Sequence, residues 1–260
     1  MELLYRSARA DQKACPASPV NAEDLTIHSA RFTCLAIETA TELPSLALLH
    51  GGQVAVRESH GMRAPSRGVF EWVRELLDES GTCLQELDCI AYGAGPGSFT
   101  GARVAVSVAQ ALGYACSVPL CPVSSLAALA AGALRTSTAN AAACCFDARM
   151  GEVYVAAYIR DREAIVRPVL EDRLCGPNVV TLPEGRRYLA AGPGWAAYPS
   201  MLERLHDSLQ GTAPELLPSA RDVLTLAQPL FAAGRLVAAV DALPNYLRDR
   251  VASESPGRHA

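Results

Sequence analysis

Lysine is almost missing from this chain. Lys13 is the only one among 260 residues, so arginine supplies nearly all the positive charge, a bias that reads as genome composition. No stretch gathers basic side chains into a block, and the net charge is −4. A protein that held RNA alone would need a basic surface matched to phosphates, so any nucleic acid is expected to be held mostly by another subunit. Long apolar runs are missing too. Charges, Pro or Gly interrupt every candidate before the roughly eighteen residues of a membrane helix, so no membrane contact is expected. The nine cysteines include no CxxC pair, and no secretory h-region opens the chain. Buried reduced thiols in a cytoplasmic protein suit that odd number better than a disulfide framework. The five histidines (His28, His50, His60, His206 and His259) form no HxxxH, HExxH or His–Cys cluster at ligand spacing, which removes the usual signature of metal hydrolysis. No G-x-S-x-G elbow supports Ser98 as a nucleophile.

What is present is an α/β pattern. Residues 1–32 show no sustained period and are expected to be a disordered leader, an upstream start or an added extension. Order is expected from about Thr33. The segment TCLAIET reads as a strand buried on both faces, and SLALLH and QVAVRE, split by Gly51 and Gly52, read as a hairpin. From Ser66 to Ser80, Val69, Val73, Leu76 and Leu77 share one helical face, widened by Phe70 and Trp72, with Gly81 as the stop. The strand DCIAYG runs into a glycine loop. A second helix follows, with Val104 and Val108 on its apolar side, then the strand SVPLC and an alanine-rich helix from Ser124. This β-β-β-α-β-α-β-α order predicts layered α/β architecture with a mixed sheet. RTSTAN marks a boundary, giving domains over 33–135 and 136–253 and a tail over 254–260. In the second domain AAACCF, EVYVAAYIR and AIVRPVL read as strands, MLERLHDSL as a short helix, and RDVLTLAQPLFAAGRL as a helix kinked or split at Pro229.

Two motifs carry chemistry. The first is GAGPGSFTGAR, Gly93 to Arg103, in which Gly95, Pro96, Gly97, Ser98, Thr100, Gly101 and Arg103 are candidate site residues. A glycine loop entering a helix exposes backbone N–H groups that can receive phosphate, and Ser98 or Thr100 can cap the helix. The loop is neither a Walker A sequence nor G-x-G-x-x-G in register, and a structural turn is the favoured reading. The second is DARMGEVY, where Asp147, Arg149 and Glu152 surround a tight hairpin. They either contact a ligand or partner, or hold the hairpin by their own ion pair. Glu38 and Thr39, at the end of the first strand, are further candidates in a segment similar to the first phosphate hairpin of the actin–Hsp70–sugar kinase superfamily. A glutamate there is more often solvated or salt-bridged than a metal ligand.

Together, LAIETAT at Leu35–Thr41, YGAGPGSFTGARV at Tyr92–Val104, VSSLAALA at Val123–Ala130 and DARMGEVY at Asp147–Tyr154 resemble the bacterial TsaB (YeaZ) family, with weaker echoes in GPGWAAYP and PNYLRDRVA. The resemblance implies an actin-like, ribonuclease H-like fold of two domains with mixed sheets flanked by helices. It implies a noncatalytic scaffold in making threonylcarbamoyladenosine (t6A) on tRNA, partnering a TsaD-like transferase and a TsaE-like ATPase, with a homodimer as a further possibility. No catalytic residue, metal or cofactor is expected of the chain itself, beyond weak ATP or ADP binding within the complex. Glu38 where Asp is usual, Ala94 where Arg is common, and Ala64–Pro65 where a His is usual remove or alter polar groups that nucleotide binding would use. The partner face is expected on the first two helices, at Val69, Trp72, Val73, Leu76, Val104 and Val108. The alternatives are an autonomous nucleotide-binding enzyme of the same fold and, more weakly, a metallopeptidase.

Overall fold

Alternation of side-chain size, rather than of polarity, organises the first sheet. Strand β1 (Cys34–Glu38) is buried at every position. Its larger residues, Leu35 and Ile37, enter one core, and its smaller ones, Cys34 and Ala36, enter another on the opposite face. Successive side chains of a strand point to opposite faces, so the small-residue face allows a helix to approach closely. Strands β2 (Ser45–His50), β3 (Gln53–Glu58), β4 (Cys89–Gly95) and β5 (Leu120–Ser124) complete a sheet of order β3-β2-β1-β4-β5. The β1–β2 and β2–β3 pairs are antiparallel, whereas β1–β4 and β4–β5 are parallel. The computed structural model describes residues 32–59, 66–161 and 166–248. Residues 1–31 of the expected leader, the Ala64–Pro65 pair and the 254–260 tail lie outside the described residues.

Helices α1 (Ser66–Ser80) and α2 (Phe99–Cys116) cover the large-residue face. Helix α3 (Ser125–Arg135) sits between the sheets: Ala128 and Ala131 join the small-residue core of the first, while Leu126, Leu129 and Leu134 pack on the second. That second sheet contains β6 (Ala141–Arg149), β7 (Glu152–Arg160), β8 (Val166–Cys175), β9 (Tyr188–Ala191) and β10 (Leu209–Ala213), in the order β10-β9-β6-β7-β8. Its β6–β7 and β7–β8 pairs are antiparallel, and β6–β9 and β9–β10 are parallel. With β6, β7 and β8 set against β1, β2 and β3, and β9 and β10 against β4 and β5, the second sheet repeats the first. Helices α4 (Gly194–Ala197) and α5 (Pro199–Leu205) cover it around the fully buried Trp195.

Two features depart from the sequence reading. Strand β10 was not expected, because LQGTA is mostly exposed and pairs only with β9; such an edge strand lacks apolar periodicity. Helix α6 (Ala220–Ala232) runs unbroken through Pro229, which lies in its last turn. It packs on β1, β2, β4 and β5 rather than on the second sheet. Its N-terminus is held by Asp222, which receives Arg135 through both Nε and Nη2 and Ser219 through Oγ. The chain after α6 stays with the first sheet, where Val237 bridges Leu120. A single cut near 135 therefore does not describe the packing of residues 220–245.

Candidate functional site

The glycine loop is pressed onto the end of β1. Ser98 donates its N–H to the Ala40 carbonyl at 2.7 Å, and Thr39 Oγ1 donates to the Gly101 carbonyl at 2.6 Å. A methyl at Gly97 would stand 2.5 Å from the Ala40 carbonyl oxygen, and one at Gly101 would overlap that of Thr39. Glycine is needed because backbone meets backbone here. Gly95 also has a left-handed φ of 91°, and its bond to Pro96 is cis. Ser98 caps α2, accepting from the Gly101 N–H at 3.4 Å, while Thr100 stands exposed in the first turn. Arg103 turns back on its own helix, donating Nη1 to the Phe99 carbonyl at 3.0 Å. Its guanidinium lies 3.3 Å from the Phe99 ring centroid and 5.1 Å from that of Tyr246.

Glu38 is fully buried, so the expectation of a solvated or salt-bridged carboxylate is corrected. Its Oε1 accepts from the Ala40 N–H at 2.7 Å and its Oε2 from Ser125 Oγ at 2.8 Å. A methyl at Gly93 would overlap Oε2, so that glycine exists to house the carboxylate. Burial pushes its pKa above the ordinary value, and the bonds from Ala40, Ser125 and Thr39 pull it partly back. Both oxygens are taken by protein donors. Glu38 and the glycine loop therefore do not fit a Mg-nucleotide site.

The DARMGEVY hairpin joins β6 to β7 through Arg149, Met150 and Gly151, all at left-handed φ. Asp147 holds the bend, accepting from the Arg149 N–H at 2.8 Å, from Arg149 Nη1 at 3.1 Å and from the Tyr198 hydroxyl at 3.2 Å. Glu152 does not join that pair. It receives Arg248 Nη2 at 2.7 Å, a contact from the far end of the chain that local spacing could not show.

A repeat links the two halves. GPG follows β4 as Gly95–Gly97, and GPG follows β9 as Gly192–Gly194, the same place in the duplicated topology. Gly192 has a φ of 97°, and methyls on Gly192 and Gly194 would crowd Cys145 of β6, as one on Gly97 would crowd Ala40 beyond β1. The sequence reading noted the second GPG only as a weak echo.

The expected partner face needs correction. Val69, Val73, Leu76 and Val108 are buried in the first core, and Trp72 and Val104 pack partly buried against it. The wide apolar arc of α1 is spent on β2, β3 and α2. What the helices leave outside is Phe70, 46% exposed, beside a groove lined by Arg74, Leu77, Leu84 and Leu112, with Tyr114 exposed farther along α2. Among the described residues, no group of three or more His, Cys, Asp or Glu side chains is placed to hold a metal ion. No helix there is long and apolar enough to cross a membrane.

Two duplicated mixed sheets, each opening with three antiparallel strands and carrying helices on its faces, define an actin-like α/β protein. A family model described as TsaD: tRNA N6-adenosine threonylcarbamoyltransferase matches residues 62–253. The tRNA threonylcarbamoyladenosine biosynthesis protein TsaB of Escherichia coli K12 is 37% identical over 228 residues, spanning 86% of this chain and 98% of that protein. The TsaB of Haemophilus influenzae is 32% identical over 236 residues, spanning 87% and 98%. The solved structure of YeaZ from Pseudomonas aeruginosa superposes with a TM-score of 0.75 at 37% identity, covering 83% of this chain and all of that one. The chain belongs to the TsaB family.

Proposed function

We propose that this protein serves tRNA threonylcarbamoyladenosine biosynthesis as a noncatalytic subunit that docks a TsaD-type transferase. The observation that carries this reading is the state of Glu38 and the glycine loop. The carboxyl is fully buried with one protein donor on each oxygen, from Ala40 and Ser125, and the loop is filled by the backbone of residues 39–40. Groups that would cradle a nucleotide in a working member of the fold are used here to tie β1, β4 and α3 together. The relatives that span nearly their whole length in this comparison are named for that pathway. Docking uses the groove beside Phe70, and a TsaE-type ATPase and tRNA are met through the transferase. Weak ATP or ADP binding belongs to the assembled complex, and a homodimer would compete for the same groove.

The test is a titration of the purified chain with a TsaD-type transferase, beside a calorimetric titration with Mg-ATP. Phe70→Glu places a charge on the groove without touching the core, and should weaken transferase binding at least about tenfold while leaving the melting temperature unchanged, as loss of an exposed aromatic anchor does. Micromolar Mg-ATP binding by the isolated wild type would instead favour an autonomous nucleotide enzyme.

A further inference from the structure

The segment after the last helices, Leu243–Arg248, takes no part in either sheet but touches both signature motifs. The hydroxyl of Tyr92 in β4 donates to the Leu243 carbonyl at 3.3 Å. The Asn245 N–H donates to the Ala94 carbonyl at 2.7 Å, at the entry to the glycine loop. Tyr246 lies over Arg103 on the first turns of α2. Arg248 then reaches the other half: it donates to the Ala148 carbonyl at 3.1 Å, pairs with Glu152 and contacts Met150 Sδ at 3.0 Å. Six residues thus run from the carboxyl end of β4 to the hairpin at the carboxyl end of β6. Open α/β sheets bind their ligands outside these strand ends.

The middle of the segment is anchored as well. Asn245 Nδ2 donates to Asp172 Oδ2 at 3.2 Å. Asp172, on β8, also accepts from Ser124 Oγ at 2.6 Å and from the Tyr158 hydroxyl at 2.6 Å. Ser124 ends β5 of the first sheet and caps α3, whereas Tyr158 and Asp172 belong to the second sheet. One carboxylate therefore collects donors from both sheets and from the connecting segment. Its surroundings are largely closed to water, where such bonds are stronger and an unmade one is more costly.

We propose that Leu243–Arg248 is a strap that ties the two sheets together and couples the glycine loop to the Asp147–Glu152 hairpin, so that freeing it at one motif loosens the other. Asn245 is the positioning residue, since its backbone holds the first motif and its side chain holds the junction. Arg248 is the clasp on the second motif.

Hydrogen exchange on the full chain tests this. Asn245→Asp sets a second carboxylate against Asp172 at nearly unchanged volume, and Arg248→Ala removes the clasp alone. Each single variant should accelerate exchange at least about tenfold in residues 93–98 and in residues 147–152 together, the size expected from losing one hydrogen bond to a charged group. Strands β1 and β9 should keep their wild-type protection. Acceleration confined to the motif nearest the substitution would overturn the coupling. So would a uniform rise over both sheets, which would make the segment ordinary core. Because the two substitutions act at different points of the strap, a folding defect in one leaves the other to decide.

Discussion

Gly101→Ala should lower the stability of this protein by about 2 kcal/mol, although alanine is the better helix former. At a helical position the exchange alone would gain about 1 kcal/mol. Against that, the new methyl would overlap the Thr39 carbonyl oxygen, with the Thr39 and Ala40 backbone behind it. Overpacking that only backbone movement can relieve costs about 3 kcal/mol. The bond from Thr39 Oγ1 to the Gly101 carbonyl would be strained as well, adding to the loss. The urea midpoint reads the net effect. Ser98→Ala, which removes only the cap on α2, is the natural comparison at about 1 kcal/mol. A Gly101→Ala variant as stable as wild type would mean that the loop stands away from β1 and leaves room there for a ligand.

The second large effect belongs to Glu38. Glu38→Ala leaves the Ala40 N–H and the Ser125 hydroxyl without partners inside the protein. It should cost about 3 kcal/mol, because stranded buried donors lose their full solvation. Glu38→Gln keeps the volume and one acceptor oxygen and should cost less, about 1 kcal/mol. The pH profile separates the two roles of the carboxyl. Its folded pKa is raised by burial, so the folded state binds the proton more tightly than the unfolded chain does. The stabilisation that follows is complete below the unfolded value, about 4.3, and is lost as pH rises through the folded value. Unfolding midpoints of the wild type should therefore decline as pH rises from about 4, and Glu38→Gln should flatten that decline. Asp172, whose pKa is also raised, chiefly by burial, contributes with the same sign and leaves a residual slope. A midpoint that rises over this range in the wild type and not in Glu38→Gln would show the carboxylate to be stabilised as an anion, and would reopen it as a cation ligand.

The elements of the first half were legible because each is a local pattern. Leu35 and Ile37 alternate with Cys34 and Ala36, and the β2–β3 hairpin is punctuated by Gly51 and Gly52. Val69, Val73 and Leu76 recur at helical spacing. Direction was not legible. An apolar arc looks the same in sequence whether it faces a sheet of its own chain or a partner, and α1 spends its arc on β2 and β3. The glycine loop shows the same limit. Gly97 and Gly101 announce a close approach, but the sequence does not say whether a phosphate or the backbone of Thr39 and Ala40 approaches. Strand β10 escaped because an exposed edge carries no apolar period.

By itself, the sequence determined the layered α/β class, the helices other than α4, most strands, the bend at Asp147–Gly151, and, through the pairing of GPGSFTG with DARMGEVY, the family. These rest on spacing within a few residues, where backbone geometry dictates which side chains share a face. Tertiary structure alone decided which cores those faces enter, that Glu38 is buried against Ala40 and Ser125, that α6 returns to the first sheet, and that Arg248 rather than Arg149 meets Glu152. Arg248 and Ala148 are 100 residues apart and share a hydrogen bond. Contacts of that range depend on how the duplicated sheets close on each other, and no local pattern encodes that closure.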